Sequence, residues 1–309
     1  MRGAGWVAGV TRARAMLSRA LGAERAGQVA SAPGLDAAVR YLSASAYGHG
    51  LPSEASVAEA QRAVAETLVW QLRVLAGWQP PSGVTALRLL ACGFEIANAE
   101  DHLRTLTDGG PPRPPYRLGT LATAWPRLAL TGSPQELRAA LAASAWGDPG
   151  AATPAAVAVG MRVSAAVRTA TAVPEAARWA AGRLALLVGR ETFVARRSLT
   201  RASALRAGRL LGTDAMAASS YPDFQRHLPP AARWAVAGVE GPSELWRAEW
   251  RWWHRLDEDG RGLTHGARLG RAPVVGAAAV LSADAWRARG ALELAARGGG
   301  RWEAFDAPA

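Results

Sequence analysis

The sequence predicts an all-α protein built of three similar helical domains, and three observations carry that prediction. The first is a phrase written three times: Leu42-Ser-Ala-Ser-Ala-Tyr47-Gly48, Leu141-Ala-Ala-Ser-Ala-Trp146-Gly147 and Met216-Ala-Ala-Ser-Ser-Tyr221-Pro222. The first two copies agree at five of seven positions, and the third shares three of seven with either and keeps the aromatic. Each copy reads as the last turns of a helix, with small residues admitting a neighbour, one aromatic knob filling the gap, and Gly or Pro stopping the helix. The copies begin 99 and 75 residues apart, beyond the ~20–50-residue period of a solenoid, so a triplicated helical domain fits better. The second observation is composition: half of the residues are hydrophobic, but only 4 are Phe and 4 Tyr, and alanine-rich helices pack through small contacts. The third is that Val/Ile/Thr alternation never persists, which leaves no strand signal.

Along the chain, the first domain spans residues 1–110 and holds four helices. The second of these runs over roughly 35–47 and ends in the first phrase. The third opens on Ser56-Val-Ala-Glu59, a capping box in which hydroxyl and carboxylate satisfy each other's backbone N–H; Val57, Val64, Leu68, Leu72 and Leu75 then hold helical spacing. The fourth buries Cys92, Ile96, Ala99, Leu103 and Leu106 on one face. Gly109-Gly-Pro-Pro-Arg-Pro-Pro115 is a stiff, helix-breaking linker. The second domain, 116–210, restarts at Ser133-Pro134-Gln-Glu136, where an N-cap, an N1 proline and an N3 acid stand in sequence. Thr153-Pro154 and Val173-Pro174-Glu175 start two more helices. The third domain, 211–309, contains Gly241-Pro-Ser-Glu244, a tryptophan-rich helix, an alanine-rich helix over about 273–297, and a frayed tail.

With 309 residues the chain has room for two or three small domains. Its formal charge is +11 and every basic residue is arginine, a balance that favours acidic partners such as nucleic acid, anionic lipid or an acidic protein. The absence of lysine excludes a Walker-type phosphate loop and Schiff-base chemistry. A single Cys92 excludes an internal disulfide and makes a reducing compartment the default. No apolar run reaches ~18 residues, so no membrane span is expected, and Gly5–Val10 followed by Arg12 and Arg14 is too short for a signal segment.

Candidate catalytic groups do not assemble into a known pattern. His49, His102, His227, His254 and His265 never fall at metal-ligand spacing, and no HExxH or CxxC occurs, so no metal or cofactor is expected. No G-x-S-x-G elbow accompanies the Ser, His and Asp residues, and no Asp-Asp-x-x-Asp cluster supports an all-α enzyme of the terpene-synthase kind. Glu95, Glu100 and Asp101 share one helix, but Glu95 and Glu100 lie five positions apart; with His102 and Arg104 they read as an ordinary charged face. Arg183, Arg190, Arg196, Arg197, Arg201, Arg206 and Arg209 form a basic run offset only by Glu191, read as a solvated face rather than a phosphate site. The most distinctive segment is Leu245-Trp-Arg-Ala-Glu-Trp-Arg-Trp-Trp-His-Arg255. Trp246, Trp250 and Trp253 recur at helical spacing and read as core, with the stems of Arg247, Arg251 and Arg255 along the rim. Trp252, off that stripe, reads as the exposed contact.

Several of these segments resemble one family, the C subunits of V/A-type rotary ATPases (vacuolar/archaeal-type; the equivalent eukaryotic V-ATPase chain carries the letter d). Gly5–Leu21 is similar to that family's opening helix. Leu35–Tyr47 resembles its helix end of leucines, then serine or threonine, then tyrosine. Phe94-Glu-Ile-Ala-Asn98-Ala-Glu-Asp-His-Leu103-Arg104 resembles its helix with an aspartate-hydrophobe-x-asparagine and a leucine-arginine, and Leu269-Gly-Arg-Ala-Pro-Val-Val275 through Arg289 its closing segment. The sequence departs from the pattern near Ala277, where a tyrosine is usual, in Ala283-Asp284-Ala285-Trp286, where more acids are usual, and at Asn98, which has no counterpart in the second domain.

The resemblance implies three similar helical domains in a funnel-like arrangement and no active site or cofactor. It further implies a central-stalk socket that couples the membrane rotor ring to the central shaft, for ion transport linked to ATP synthesis or hydrolysis. The protein would then lie peripherally on the cytoplasmic face of the membrane, with ring and shaft subunits as partners and anionic lipid as a further contact. Arg247, Arg251, Trp252 and Arg255 are the expected interface, and Tyr47, Trp146 and Tyr221 the expected structural repeat. The alternative reading is a basic, Arg/Trp-rich helical protein that binds nucleic acid through the same helix.

Overall fold

A computed structural model describes residues 4–266 and 269–300; the tail expected to fray lies largely outside them. The fold is all-helical, and no strand occurs among the described residues. In chain order the helices are α1 (Ala4–Leu17), α2 (Gly22–Ala30), α3 (Leu35–Ser43), α4 (Val57–Ala76), α5 (Pro81–Leu90) and α6 (Cys92–Asp108). After the linker come α7 (Trp125–Leu128), α8 (Pro134–Ala142), α9 (Pro154–Ala172), α10 (Ala177–Gly189) and α11 (Arg201–Leu211). Then follow α12 (Thr213–Ala217), α13 (Tyr221–His227), α14 (Pro230–Arg233), α15 (Leu245–Thr264) and α16 (Arg271–Ala296).

Five of the helices, α4, α8, α9, α11 and α13, start on a Ser or Thr side chain that accepts one of their orphan N–H groups. At α4 the box forms in both directions: the Glu59 N–H donates to Ser56 Oγ at 3.3 Å, and the Ser56 N–H donates to Glu59 Oε2 at 2.9 Å. Ser133 caps α8 through the Glu136 N–H at 3.2 Å, while Glu136 accepts the Gly132 N–H at 2.8 Å. Thr153 caps α9, with Pro154 as first helical residue. Gly109 ends α6 in the left-handed region, φ 67°, where a side chain would be strained, and the proline run that follows is non-helical.

The residues gather into two compact units, Met1–Gly83 with Leu256–Ala309, and Val84–Arg255. Both expected boundaries, near 110 and near 210, fall inside the second unit. In the first unit α16 packs against α1, α2, α3 and α4. Val274, Val275, Ala277, Ala278, Ala279, Val280 and Leu281 are all buried, so this helix is apolar nearly all round, as a central helix must be. Gly276 lets it approach the second half of α15 closely: a Cβ there would sit 2.5 Å from the Gly260 carbonyl. In the second unit one core cluster gathers Ile96, Ala99, Leu103, Leu128, Leu137, Leu141, Trp146, Val157 and Met161.

Candidate functional site

The first two copies of the repeated phrase build the same device, one in each unit. In both, the helix stops before the aromatic, α3 at Ser43 and α8 at Ala142. A serine then folds the chain: Ser45 Oγ donates to the Leu42 carbonyl at 2.7 Å and accepts the Tyr47 N–H at 3.1 Å. Ser144 Oγ repeats this, donating to the Leu141 carbonyl at 2.8 Å and accepting the Trp146 N–H at 3.1 Å. This local bracket turns each aromatic inward, where Tyr47 and Trp146 are each 1% exposed.

Each aromatic donates to a buried carboxylate that also holds a helix start. Tyr47 Oη donates to Asp284 Oδ2 at 2.8 Å, and the Leu21 and Gly22 N–H groups at the start of α2 donate to the same carboxylate at 2.9 and 2.7 Å. Trp146 Nε1 donates to Glu95 Oε1 at 3.0 Å, and the Thr123 and Ala124 N–H groups ahead of α7 donate to Glu95 at 2.5 and 2.6 Å. The carboxylates are 2% and 1% exposed. Three donors around a buried acid replace the hydration it loses, and a negative charge is well placed at a helix N-terminus. Burial, with the Asp284 charge and its hydrogen bond, holds the Tyr47 hydroxyl well above the usual phenol range. Asn98, one turn on from Glu95, brackets the linker: its Nδ2 donates to the Tyr116 carbonyl at 3.0 Å and its Oδ1 accepts the Tyr116 N–H at 2.7 Å.

Glu95 therefore does not belong to a charged face. It shares its side of α6 with Ala99 and Leu103 at four-residue spacing, and that register is the signal the sequence offers. Asp284 stands in an apolar run, Val280–Leu281 before it and Ala288 after it, which is the same signal in a helix buried all round.

The third copy departs from the first two. Ser220 caps α13 through the Asp223 N–H at 3.3 Å, and Tyr221 opens that helix ahead of Pro222, so proline here starts a helix instead of ending one. Tyr221 is buried but packs against Phe193 and Phe224, with ring centroids 5.7 and 6.5 Å apart. Among the described residues no carboxylate accepts a hydrogen bond from its hydroxyl.

The arginine–tryptophan segment forms the first half of α15, and its orientation reverses the expected one. Trp252 is buried, 8% exposed, and its Nε1 donates to the Trp179 carbonyl at 2.9 Å. Leu245 and Ala248 lie on the same buried line. Trp246, expected in the core, is 54% exposed, and Trp250 and Trp253 are half-buried. The reason is register: Leu245, Ala248 and Trp252 already supply the i, i+3, i+7 stripe, which turns Trp246 and Trp250 outward. Arg247, Arg251 and Arg255 are exposed as expected. Arg247 lies 5.2 Å over the Trp246 ring and pairs with Glu244 at 3.1 Å, and His254 stacks on Trp250 at 5.5 Å.

The basic run from α10 to α11 is offset by more than Glu191. Arg183 and Arg190 both reach Glu249 of α15, at 2.6 and 2.5 Å, and the two guanidiniums lower the Glu249 pKa against the opposing effect of burial. Arg197 pairs with Glu191 through two contacts of 2.9 and 3.0 Å. Arg206 packs its guanidinium onto Gly147, and Arg201 and Arg209 are exposed. A cavity of about 160 Å³ opens beside the starts of α9 and α11, lined among others by Thr153, Glu191, Arg197, Thr200 and Ser203; its two charged side chains neutralise each other.

Among the described residues no three His, Cys, Asp or Glu side chains come together to hold a metal, and no helix is long and apolar enough to cross a membrane. His102 is engaged with Thr131, its Nε2 3.0 Å from the carbonyl. No protein-family model matches the chain, and no curated protein matches it.

Proposed function

We propose that this protein is the non-catalytic socket of a V/A-type rotary ATPase, joining the membrane rotor ring to the central shaft. The observation that carries the reading is the twice-built carboxylate anchor. The same phrase, the same serine bracket and the same three-donor acid recur at Tyr47/Asp284 and Trp146/Glu95, as duplicated helical domains would leave them. That construction supports the resemblance to a family made of similar helical domains, here three in a funnel-like arrangement, with Tyr221 marking the divergent third. A socket that passes torque must be stiff, and alanine-rich helices closed by buried, fully bonded acids are stiff because close-packed interiors deform little.

Its partners are the ring and shaft subunits, met at the cytoplasmic face of the membrane. Arg247, Arg251 and Arg255, all exposed, are the partner-facing cations; Trp252 is not in that set because it is buried. The test is to tag the protein in its native host, solubilise membranes gently and identify what is recovered with it. Ring, shaft and ATP-hydrolysing subunits are expected. A second reading, nucleic-acid binding, rests on exposed Trp246 beside Arg247. Recovery of nucleic acid instead, with oligonucleotide binding at moderate salt, would replace the first.

A further inference from the structure

We infer that the outward face of the first half of α15 is a docking ridge for an anionic phospholipid surface. The inference rests on this helix being the partner-facing surface, and it names the partner by chemistry. At about 100° per residue, the buried line through Leu245, Ala248 and Trp252 leaves Trp246, Trp250 and His254 pointing away from the core, with Arg247 and Arg251 beside them. Trp246 is 54% exposed, and both arginines are exposed.

This is the arrangement an interfacial helix uses: amphipathic indoles at headgroup level, flanked by arginines whose stems lie along apolar surface while the guanidiniums reach phosphates. The charge matches. Around this half-helix stand Arg183, Arg190, Arg247 and Arg251, against Glu244 and Glu249. The aromatic geometry separates this partner from nucleic acid. Base stacking needs open aromatic faces, but Arg247 covers one face of Trp246 and His254 stacks on Trp250. With those faces engaged, exposed Trp246, Arg247 and Arg251 suit headgroups better than stacked bases.

The test uses the purified full chain and sedimentation with vesicles of equal parts phosphatidylglycerol and phosphatidylcholine, or of phosphatidylcholine alone. The protein sediments with the anionic vesicles, less so as salt rises, and not with the neutral ones. Each arginine near an anionic surface contributes about fivefold to partition, so R247E/R251E weakens binding by at least about 20-fold. W246S/W250S weakens it at high salt, where the indole contribution remains. R201E/R209E makes the same charge change on exposed positions of α11 and weakens binding far less. Unchanged thermal melting shows that each variant is folded, and R247Q/R251Q serves as the milder pair.

The inference is overturned if anionic vesicles are not bound, or if R247E/R251E binds as the parent does. It is equally overturned if the α11 control loses as much, or if single-stranded oligonucleotide displaces the vesicles through the same residues. Because the vesicles hold no ring or shaft, failure here leaves the co-purification from native membranes as a separate test of the rotor reading.

Discussion

Replacing Glu95 by glutamine removes one charge and keeps the shape, and the structure sets what that costs. Glu95 Oε1 accepts from Ala124 N–H at 2.6 Å and from Trp146 Nε1 at 3.0 Å, while Oε2 accepts from Thr123 N–H at 2.5 Å. The glutamine oxygen can serve the first two donors, but its amide nitrogen then faces the Thr123 N–H, donor against donor. A hydrogen bond to a charged acceptor contributes about 1.5–3 kcal/mol, and a stranded buried donor costs about 1–3 kcal/mol. The loss of one bond, the weakening of two and the stranded N–H together give about 3–5 kcal/mol, a large fraction of a typical folding free energy of about 5–15 kcal/mol. Urea denaturation of the parent and the variant measures it. Glu66→Gln is the control: its side chain is 52% exposed and pairs with Arg62 on the same helix, so it costs under about 1 kcal/mol. A double-mutant cycle with Trp146→Phe should be less than additive, because Glu95→Gln already weakens the bond that Trp146→Phe removes. If Glu95→Gln costs no more than Glu66→Gln, the anchor holds nothing, and its repetition no longer supports a duplicated domain.

Asp284 and Tyr47 should behave as the same device in the other unit. Asp284→Asn is expected to cost about 3–5 kcal/mol, and Tyr47→Phe, which leaves Asp284 its two N–H donors, about 1–2 kcal/mol, both read by urea denaturation; equal costs would show that the tyrosine is the main partner. Cys92 is half-buried, and the desolvation around it pushes its thiol up to about 12, so it should react far more slowly with a thiolate-specific disulfide reagent at pH 8 than in denaturant; equal rates in the folded and denatured protein would refute the raised pKa. Asp148 is held down to about 2 by the two-point pair with Arg138 and by the Gly150 N–H. A carboxylate depressed from its ordinary 3.8 contributes stability above that value and loses it as pH falls toward about 2. The Asp148→Asn variant should therefore lose less stability than the parent across that range, by a modest margin because the pair is partly exposed, as pH-dependent melting will show.

Much of the fold is legible in the sequence because its signals are local. The Ser56–Glu59 box, the Ser133 cap and the Thr153-Pro154 start act through residues three or four apart, and all form. What is not legible depends on partners far away in sequence. Asp284 meets Tyr47 across 237 positions, and no local rule foretells that an acid near the chain's end closes a loop near its start. Glu95 is hidden differently: its acidic and basic neighbours Glu100, Asp101 and Arg104 resemble a solvated face, while its register with Ala99 and Leu103 shows the buried one. The tryptophan helix misleads when Trp is weighted as core by type; Leu245, Ala248 and Trp252 form an equally regular stripe, and the structure buries that one. Tyr221 shows the limit of matching a phrase, since Pro222 makes the same letters open a helix.

The central claim is that this chain is a rotor socket, and co-purification from native membranes tests it most directly. With an affinity tag on the chain and mild solubilisation, ring, shaft and ATP-hydrolysing subunits are predicted to be recovered with it, and reversing Arg247, Arg251 and Arg255 to glutamate should reduce that yield. Recovery of the protein alone, or with nucleic acid and none of those subunits, would contradict the claim.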